Sequence, residues 1–182
     1  SLVCCFQSDI KRLIAYSSVA HIIVIPLLII SCNILSLQTL TIVILFHGLR
    51  SSLLFMIVGI LYSIYSTRQL ILIRGLLLIS PILRLVIILT FFFTISAPPF
   101  PSFIAEVYFM MSTYILTDNM IYIFIFFAFI SMVYNLNWLS RVLFGPTLPI
   151  VHIECVVKYR LFIPLILIIF NSFLVIFIFM CF

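Results

Sequence analysis

Charge is what this sequence has least of. Charged residues make up 7% of its 182 residues, and only four of them are acidic. Because soluble domains carry about 25% charged residues, this composition excludes a soluble enzyme or a soluble binding module. Hydrophobic residues make up 66% of the chain and the mean hydropathy is +1.49, which is typical of a polytopic membrane protein. The net charge of +5 indicates anchoring at one membrane face and predicts no nucleic-acid partner.

Motifs for metals, redox groups and nucleotides are also missing. The chain has no paired CxxC with histidines, no Walker loop, no GxGxxG motif and no nucleophile elbow. These absences argue against a metal, haem or nucleotide site, and they leave the movement of protons or ions as the chemistry this chain can offer. The cysteines are scattered through apolar runs and are interpreted as small buried side chains: Cys4, Cys5, Cys32, Cys155 and Cys181.

One stretch, residues 81–116, organises the rest of the chain. It consists of two apolar runs separated by the letters APPFP at 97–101, and Glu106 follows five residues after the last of these prolines. Prolines remove backbone hydrogen bonds, and in lipid the freed groups must find protein or water partners. An ionisable side chain in hydrocarbon is costly and marks an ion or proton path by default. The pattern predicts a broken helix beside a proton site at Glu106.

The sequence predicts a single all-α domain over 1–182, a polytopic transmembrane helix bundle with one interrupted helix. About 20 apolar residues are needed for each crossing. The expected spans are 9–30, 39–65, 81–116 with a break near 97–101, 120–143 and 161–182. If 81–116 crosses the membrane once, the positive-inside tendency is satisfied because eight cations fall at one face: Lys11, Arg12, Arg68, Arg74, Arg84, Arg141, Lys158 and Arg160.

Two histidines lie inside predicted spans. His47 is near the middle of the second span, with Arg50 one turn later, so the two residues share a face that must look into protein or water. A histidine can change charge near neutral pH, which suits a proton relay, although a structural hydrogen bond is the alternative for His47. For His21, packing and relay are both open. Lys11 is interpreted as an anchor at the lipid–water boundary.

Four segments resemble the antiporter-like subunits of respiratory complex I. Residues 6–21, FQSDIKRLIAYSSVAH, are similar to the family pattern QTDxKxLIAYSSxxH, and residues 46–55, FHGLRSSLLF, to AHGLxSSLLF. The connector 66–81 and the segment 97–106, which matches LALPPxxNxxGE, follow in the family's order. The resemblance covers nearly the whole chain and corresponds to the family's tenth to fourteenth helices. An acidic residue at position 106 is typical of one member, since its sister subunits usually carry lysine there.

The resemblance implies a proton-pumping subunit of the mitochondrial inner membrane, within an enzyme that oxidises NADH and reduces ubiquinone. Glu106 matches the terminal acid of the family's hydrophilic axis, His47 the histidine that passes protons toward it, and Lys11 a lysine at the start of the tenth helix; His21 is a further proton-transfer candidate. No redox cofactor is expected in this chain, and flavin and iron–sulfur clusters are expected elsewhere in the assembly. The implied partners are the lipid bilayer and other complex I membrane subunits, including a chain that carries the missing N-terminal helices.

The chain also departs from the family pattern. The glutamate of the family's fifth helix, the lysines of its seventh and eighth helices, and a long lateral helix have no counterpart here. Arg50 stands where a small or hydroxyl residue is usual, and Ala105 where glycine is common. Two other functions remain open: a subunit of a cation/proton antiporter without redox machinery, and a scaffold subunit that does not pump.

Overall fold

The fold is all-α in the residues that the computed structural model describes, which are 1–31, 33–76, 81–98, 100–114, 119–146 and 166. These residues contain no strand, and their only β-type pairing is an isolated bridge between Asp9 and Gln69. The all-α prediction is therefore confirmed for this part of the chain. The helices are α1 Leu2–Cys5, α2 Ile10–Ile22, α3 Val24–Ser31, α4 Ile34–Tyr65, α5 Pro81–Thr94, α6 Pro101–Tyr114 and α7 Asn119–Leu143.

Three apolar segments are long enough to cross a membrane: Ile10–Ser31, Ile34–Tyr65 and Ile121–Leu143. A shorter apolar helix covers Leu83–Thr94. The chain is thus a multi-pass membrane protein. The predicted last span, 161–182, lies outside the described residues except for position 166.

The first predicted span is two helices rather than one. Helix α2 ends at Ile22 and α3 begins at Val24. The cause is Pro26, because proline has no N–H to donate to the carbonyl of Ile22 and its ring crowds that carbonyl.

Helix α4 begins earlier than the sequence indicated. The second span was predicted to begin at 39, but the helix starts at Ile34. Asn33 and Ser36 account for the difference: the Asn33 N–H donates to Ser36 Oγ at 3.0 Å, and Ser36 Oγ donates to the Asn33 carbonyl at 2.6 Å. The Ser36 hydroxyl therefore satisfies backbone groups at the start of α4, as in the reciprocal half of a capping box.

The connector after α4 joins three helix ends at one end of the bundle. The N–H of Ile10, at the start of α2, donates to the Arg68 carbonyl at 3.1 Å. Tyr65 donates its hydroxyl to the Arg74 carbonyl at 2.7 Å. A Cβ built on Gly145, just after α7, would lie 3.3 Å from the Arg74 side chain. A single crossing by 81–116 predicts this arrangement, and the crossing itself remains a prediction. The arrangement places several cations near one end: Lys11, Arg12, Arg68, Arg74 and Arg141. Lys158 and Arg160 lie outside the described residues.

Helix α4 is the centre of the bundle and packs against α2, α3, α5 and α6. Its buried residues Leu53, Ile57 and Leu61 belong to the same apolar cluster as Leu83 and Ile87 of α5. This packing buries three of its polar residues, Ser36, Thr39 and Arg50, whereas Gln38, Thr41, Ser52 and Ser63 are exposed.

The interpretation of the cysteines as buried side chains holds for Cys4 but is wrong for Cys5. Cys4 is buried in the main apolar cluster, whereas Cys5 is exposed, because neighbouring residues of the short helix α1 point to different sides. Cys32, Cys155 and Cys181 lie outside the described residues.

Candidate proton site

The interruption between α5 and α6 has a defined backbone geometry. The N–H of Ala97 donates to the Phe92 carbonyl at 3.1 Å, and the N–H of Ser96 to the Phe93 carbonyl at 3.4 Å. The backbone of Ser96 has the left-handed conformation, with φ +57°. These features make a Schellman motif, in which Ser96 occupies the position where glycine is usual. Helix α6 then begins at Pro101, a residue well suited to a first helical position.

Side chains satisfy the backbone carbonyls at the end of α5. Ser102 Oγ donates to the Phe93 carbonyl at 2.8 Å. Arg50 Nη1, from α4, donates to the Thr94 carbonyl at 3.4 Å. These contacts meet the requirement that a broken helix within a membrane find replacement hydrogen bonds in protein.

Glu106 lies on α6, about one and a half turns after the break, and is half-buried. Its Oε1 accepts a hydrogen bond from Ser96 Oγ at 2.6 Å. This length lies within the ordinary range of O–H···O hydrogen bonds. The carboxyl group is therefore held by the left-handed residue of the helix break, a contact that sequence reasoning missed.

One cavity brings together polar side chains of three helices and of the break between α5 and α6. It is lined by His21 of α2, His47 and Arg50 of α4, Glu106 of α6 and Ser96 of the break, among apolar residues. The volume open to the centre of a water molecule is about 60 Å³. A cavity needs only roughly 10–15 Å³ to hold one water, so this cavity is large enough for water to enter.

Three of the four predicted proton-transfer residues line this cavity, and the fourth does not. Lys11 is exposed in the first turn of α2, where its backbone N–H donates to Asp9 Oδ1 at 3.1 Å. The structure thus brings Glu106, His47 and His21 together and leaves Lys11 outside. The proton-transfer roles themselves remain predictions.

The two histidines have different surroundings. The Nδ1 of His47 is buried and has no hydrogen-bond partner among the described residues. His21 packs edge-on against Phe127, with ring centroids 5.6 Å apart. His47 therefore has a nitrogen free for proton exchange, whereas His21 has an additional packing contact.

A second, smaller cavity continues from the first. It shares His21, His47 and Arg50 with the larger cavity and adds Tyr134 and Asn135 of α7. The Tyr134 hydroxyl is buried without a hydrogen-bond partner in the described part of the chain. Sequence reasoning also missed these two residues, although adjacent polar side chains within an apolar helix are a usable signal.

In the ranges given above, no group of three His, Cys, Asp or Glu side chains is placed to hold an ion. The titratable side chains of the cavity are a carboxyl, two imidazoles and a guanidinium. What this set can do chemically is hold, release and redistribute protons.

Comparison with known proteins finds a matching family and several similar proteins. Residues 1–134 match a family described as NADH:quinone oxidoreductase/Mrp antiporter, transmembrane. Three similar proteins are each named NADH-ubiquinone oxidoreductase chain 4. The protein from Chondrus crispus is 33% identical over 80% of this chain, that from Chlamydomonas reinhardtii 34% over 76%, and that from Albinaria caerulea 33% over 75%.

The matched region is only part of each of these relatives. It covers 30% of the Chondrus protein and 31% of each of the other two. The chain therefore spans about a third of the length of the curated relatives it matches.

Proposed function

The chain belongs to the NADH:quinone oxidoreductase/Mrp antiporter transmembrane family, and we propose that it is the C-terminal part of a proton-translocating subunit of respiratory complex I, chain 4. The assembly would couple the transfer of electrons from NADH to ubiquinone to proton movement. The observation that carries this proposal is the cavity in which Glu106 and His47 lie together with Arg50, inside a membrane bundle.

The mechanism we propose is charge coupling. Glu106 and His47 exchange protons across the cavity, and the charge on neighbouring groups changes the proton affinity of each. Arg50 contributes a fixed positive charge beside both groups. NADH oxidation elsewhere in the assembly supplies the free energy, so this chain needs no redox cofactor, and flavin and iron–sulfur clusters belong to other subunits.

The other two functions are less well supported. The family description covers antiporters as well as oxidoreductases, but the three relatives reported above are all oxidoreductase subunits. A scaffold would be expected to hold Glu106 and His47 apart, in dry and isolated positions. Because they line one cavity together with Arg50, a role in proton transfer is favoured over a scaffold.

The partners and location follow from the same proposal. The relatives are about three times the length of the matched region, so we propose that the helices carrying the family's membrane glutamate and lysines pack beside this bundle, in the same chain or in a separate one. Other complex I membrane subunits and the lipid bilayer complete the surroundings. The proposed location is the mitochondrial inner membrane.

Glu106→Gln tests the function in the intact complex reconstituted into vesicles. We expect NADH-driven proton translocation to fall by about tenfold or more, because an amide cannot carry the transferred proton, while the complex still assembles. Asp9→Asn is the matched control, since it removes a carboxylate outside the cavity and asparagine still caps α2. Normal proton translocation in the Glu106 variant would exclude this carboxyl from the mechanism.

A further inference from the structure

We propose that Ser96 is a positioning residue for proton transfer at Glu106: its hydroxyl hydrogen-bonds the carboxyl group in both protonation states. This inference rests on the proposed function, because it concerns how the same carboxyl takes up and releases a proton. Two independent features of the structure support it, the 2.6 Å contact between Ser96 Oγ and Glu106 Oε1 and the left-handed backbone of Ser96.

The backbone conformation shows that serine is not the residue the turn itself prefers. Ser96 occupies the left-handed position of the Schellman motif with φ +57°. Glycine takes this position without steric cost, whereas a residue with a Cβ is disfavoured there. The serine is therefore explained by what its side chain contacts, which is Glu106.

The contact between Ser96 and Glu106 is held in place by burial and by backbone hydrogen bonds. Ser96 is 5% exposed, and its N–H and that of Ala97 are held by the end of α5. Glu106 lies on α6, on the far side of the break. The Ser96 hydroxyl therefore links the two half-helices directly at the carboxyl group, and it does so beside the cavity that both residues line.

A hydroxyl is suited to both states of the acid because it has one donor and two acceptor sites. When Glu106 is ionised, Ser96 O–H donates to Oε1. When a proton arrives from the imidazolium of His47, that histidine becomes neutral, Glu106 becomes neutral, and the new carboxyl O–H can donate to Ser96 Oγ after the hydroxyl rotates. No backbone movement is needed, so the polar environment is preorganised for the transfer.

The other hydroxyls near the site do not have this role. Ser102 lines the same cavity, but its Oγ donates to the Phe93 carbonyl at 2.8 Å. Ser112 lies further along α6 and donates to the Phe109 carbonyl at 2.9 Å. Ser96 is the side chain for which the structure gives a hydrogen bond to Glu106.

The test compares Ser96→Ala with Ser96→Gly in the reconstituted complex. Both variants remove the hydroxyl, but alanine keeps the unfavourable left-handed backbone while glycine relieves it. We expect both to slow proton translocation by about tenfold, the effect of losing one hydrogen bond to a charged group. We expect the glycine variant to be the more heat-stable of the two. Ser112→Ala, which removes a buried hydroxyl from α6 outside the cavity, should translocate protons normally.

Infrared difference spectra provide a readout that a structural role would not change. The C=O band of protonated Glu106 is identified by its loss in Glu106→Gln. In both Ser96 variants this band should move to higher frequency, because a carboxyl group without a hydrogen-bond partner has a stronger C=O bond.

The possible results separate this inference from the function it rests on. If Glu106→Gln translocates protons normally, the proposed function fails. If Glu106→Gln is impaired but Ser96→Gly is normal and its C=O band unmoved, Ser96 supports only the turn and this inference is wrong. An equal loss of proton translocation in both Ser96 variants, together with the shifted C=O band, supports the proposed role of Ser96.

Discussion

Arg50 of α4 and Thr94 of α5 are 44 residues apart in sequence, and Arg50 Nη1 donates to the Thr94 carbonyl at 3.4 Å. Thr94 is the last residue of α5, so its carbonyl is one that the interrupted helix leaves without its usual partner. Arg50 is 9% exposed. The arginine that departs from the family pattern thus connects the central helix to the broken one.

Arg50→Leu is expected to destabilise the region around the break. The substitution leaves the Thr94 carbonyl without its donor in a buried site, which costs about 1–3 kcal/mol. Arg141→Leu is the control, because that cation is exposed and, among the described residues, its side chain donates to Asn137 Oδ1 of its own helix. The measurement is the midpoint of thermal inactivation of the assembled complex. Equal midpoints for the two variants would show that the Arg50 contact contributes nothing to stability.

His47→Gln is expected to reduce NADH-driven proton translocation by roughly tenfold or more, since glutamine cannot accept and release a proton. His21→Phe should have a smaller effect, because phenylalanine keeps the edge-on contact with Phe127 that His21 makes. Proton uptake by vesicles containing each variant, normalised to NADH oxidation, gives the comparison. If His21→Phe lost more proton translocation than His47→Gln, His21 rather than His47 would be the proton relay.

Lys11→Gln should leave proton translocation within about twofold of normal, because surface changes away from buried networks usually have small effects. Lys11 is exposed and lies outside both cavities, although the family resemblance implied a role for it. The measurement is the initial rate of proton translocation by the Lys11→Gln variant at saturating NADH. A loss comparable to that of Glu106→Gln would mean that the proton path reaches the end of α2 where Lys11 lies.

The interrupted helix could be predicted because prolines and an isolated acid are explicit in the letters of the sequence. The start of α4 at Ile34 was missed because the Ser36 hydroxyl caps the backbone of Asn33, and only these hydrogen bonds reveal it. The Ser96 contact could not be predicted either. It depends on a left-handed residue in the break, which brings its own side chain to one ten positions later on α6.

Ala105→Leu tests whether the cavity itself is needed. Ala105 is 5% exposed and lines the cavity next to Glu106 in sequence. The larger side chain would occupy space that water can enter, at a cost of about 1–3 kcal/mol in packing, while every titratable group stays in place. We therefore expect proton translocation to fall by about tenfold, because proton transfer across the gap depends on bridging water.

The control for this variant is Ala15→Leu, which adds the same atoms to an exposed position of α2 outside both cavities. It should translocate protons normally. Hydration is measured directly from the infrared bands of weakly hydrogen-bonded internal water, which should be reduced only in the Ala105 variant. If those bands disappear and translocation is unchanged, protons pass between Glu106 and His47 without water, and the two side chains must then come into direct contact during turnover.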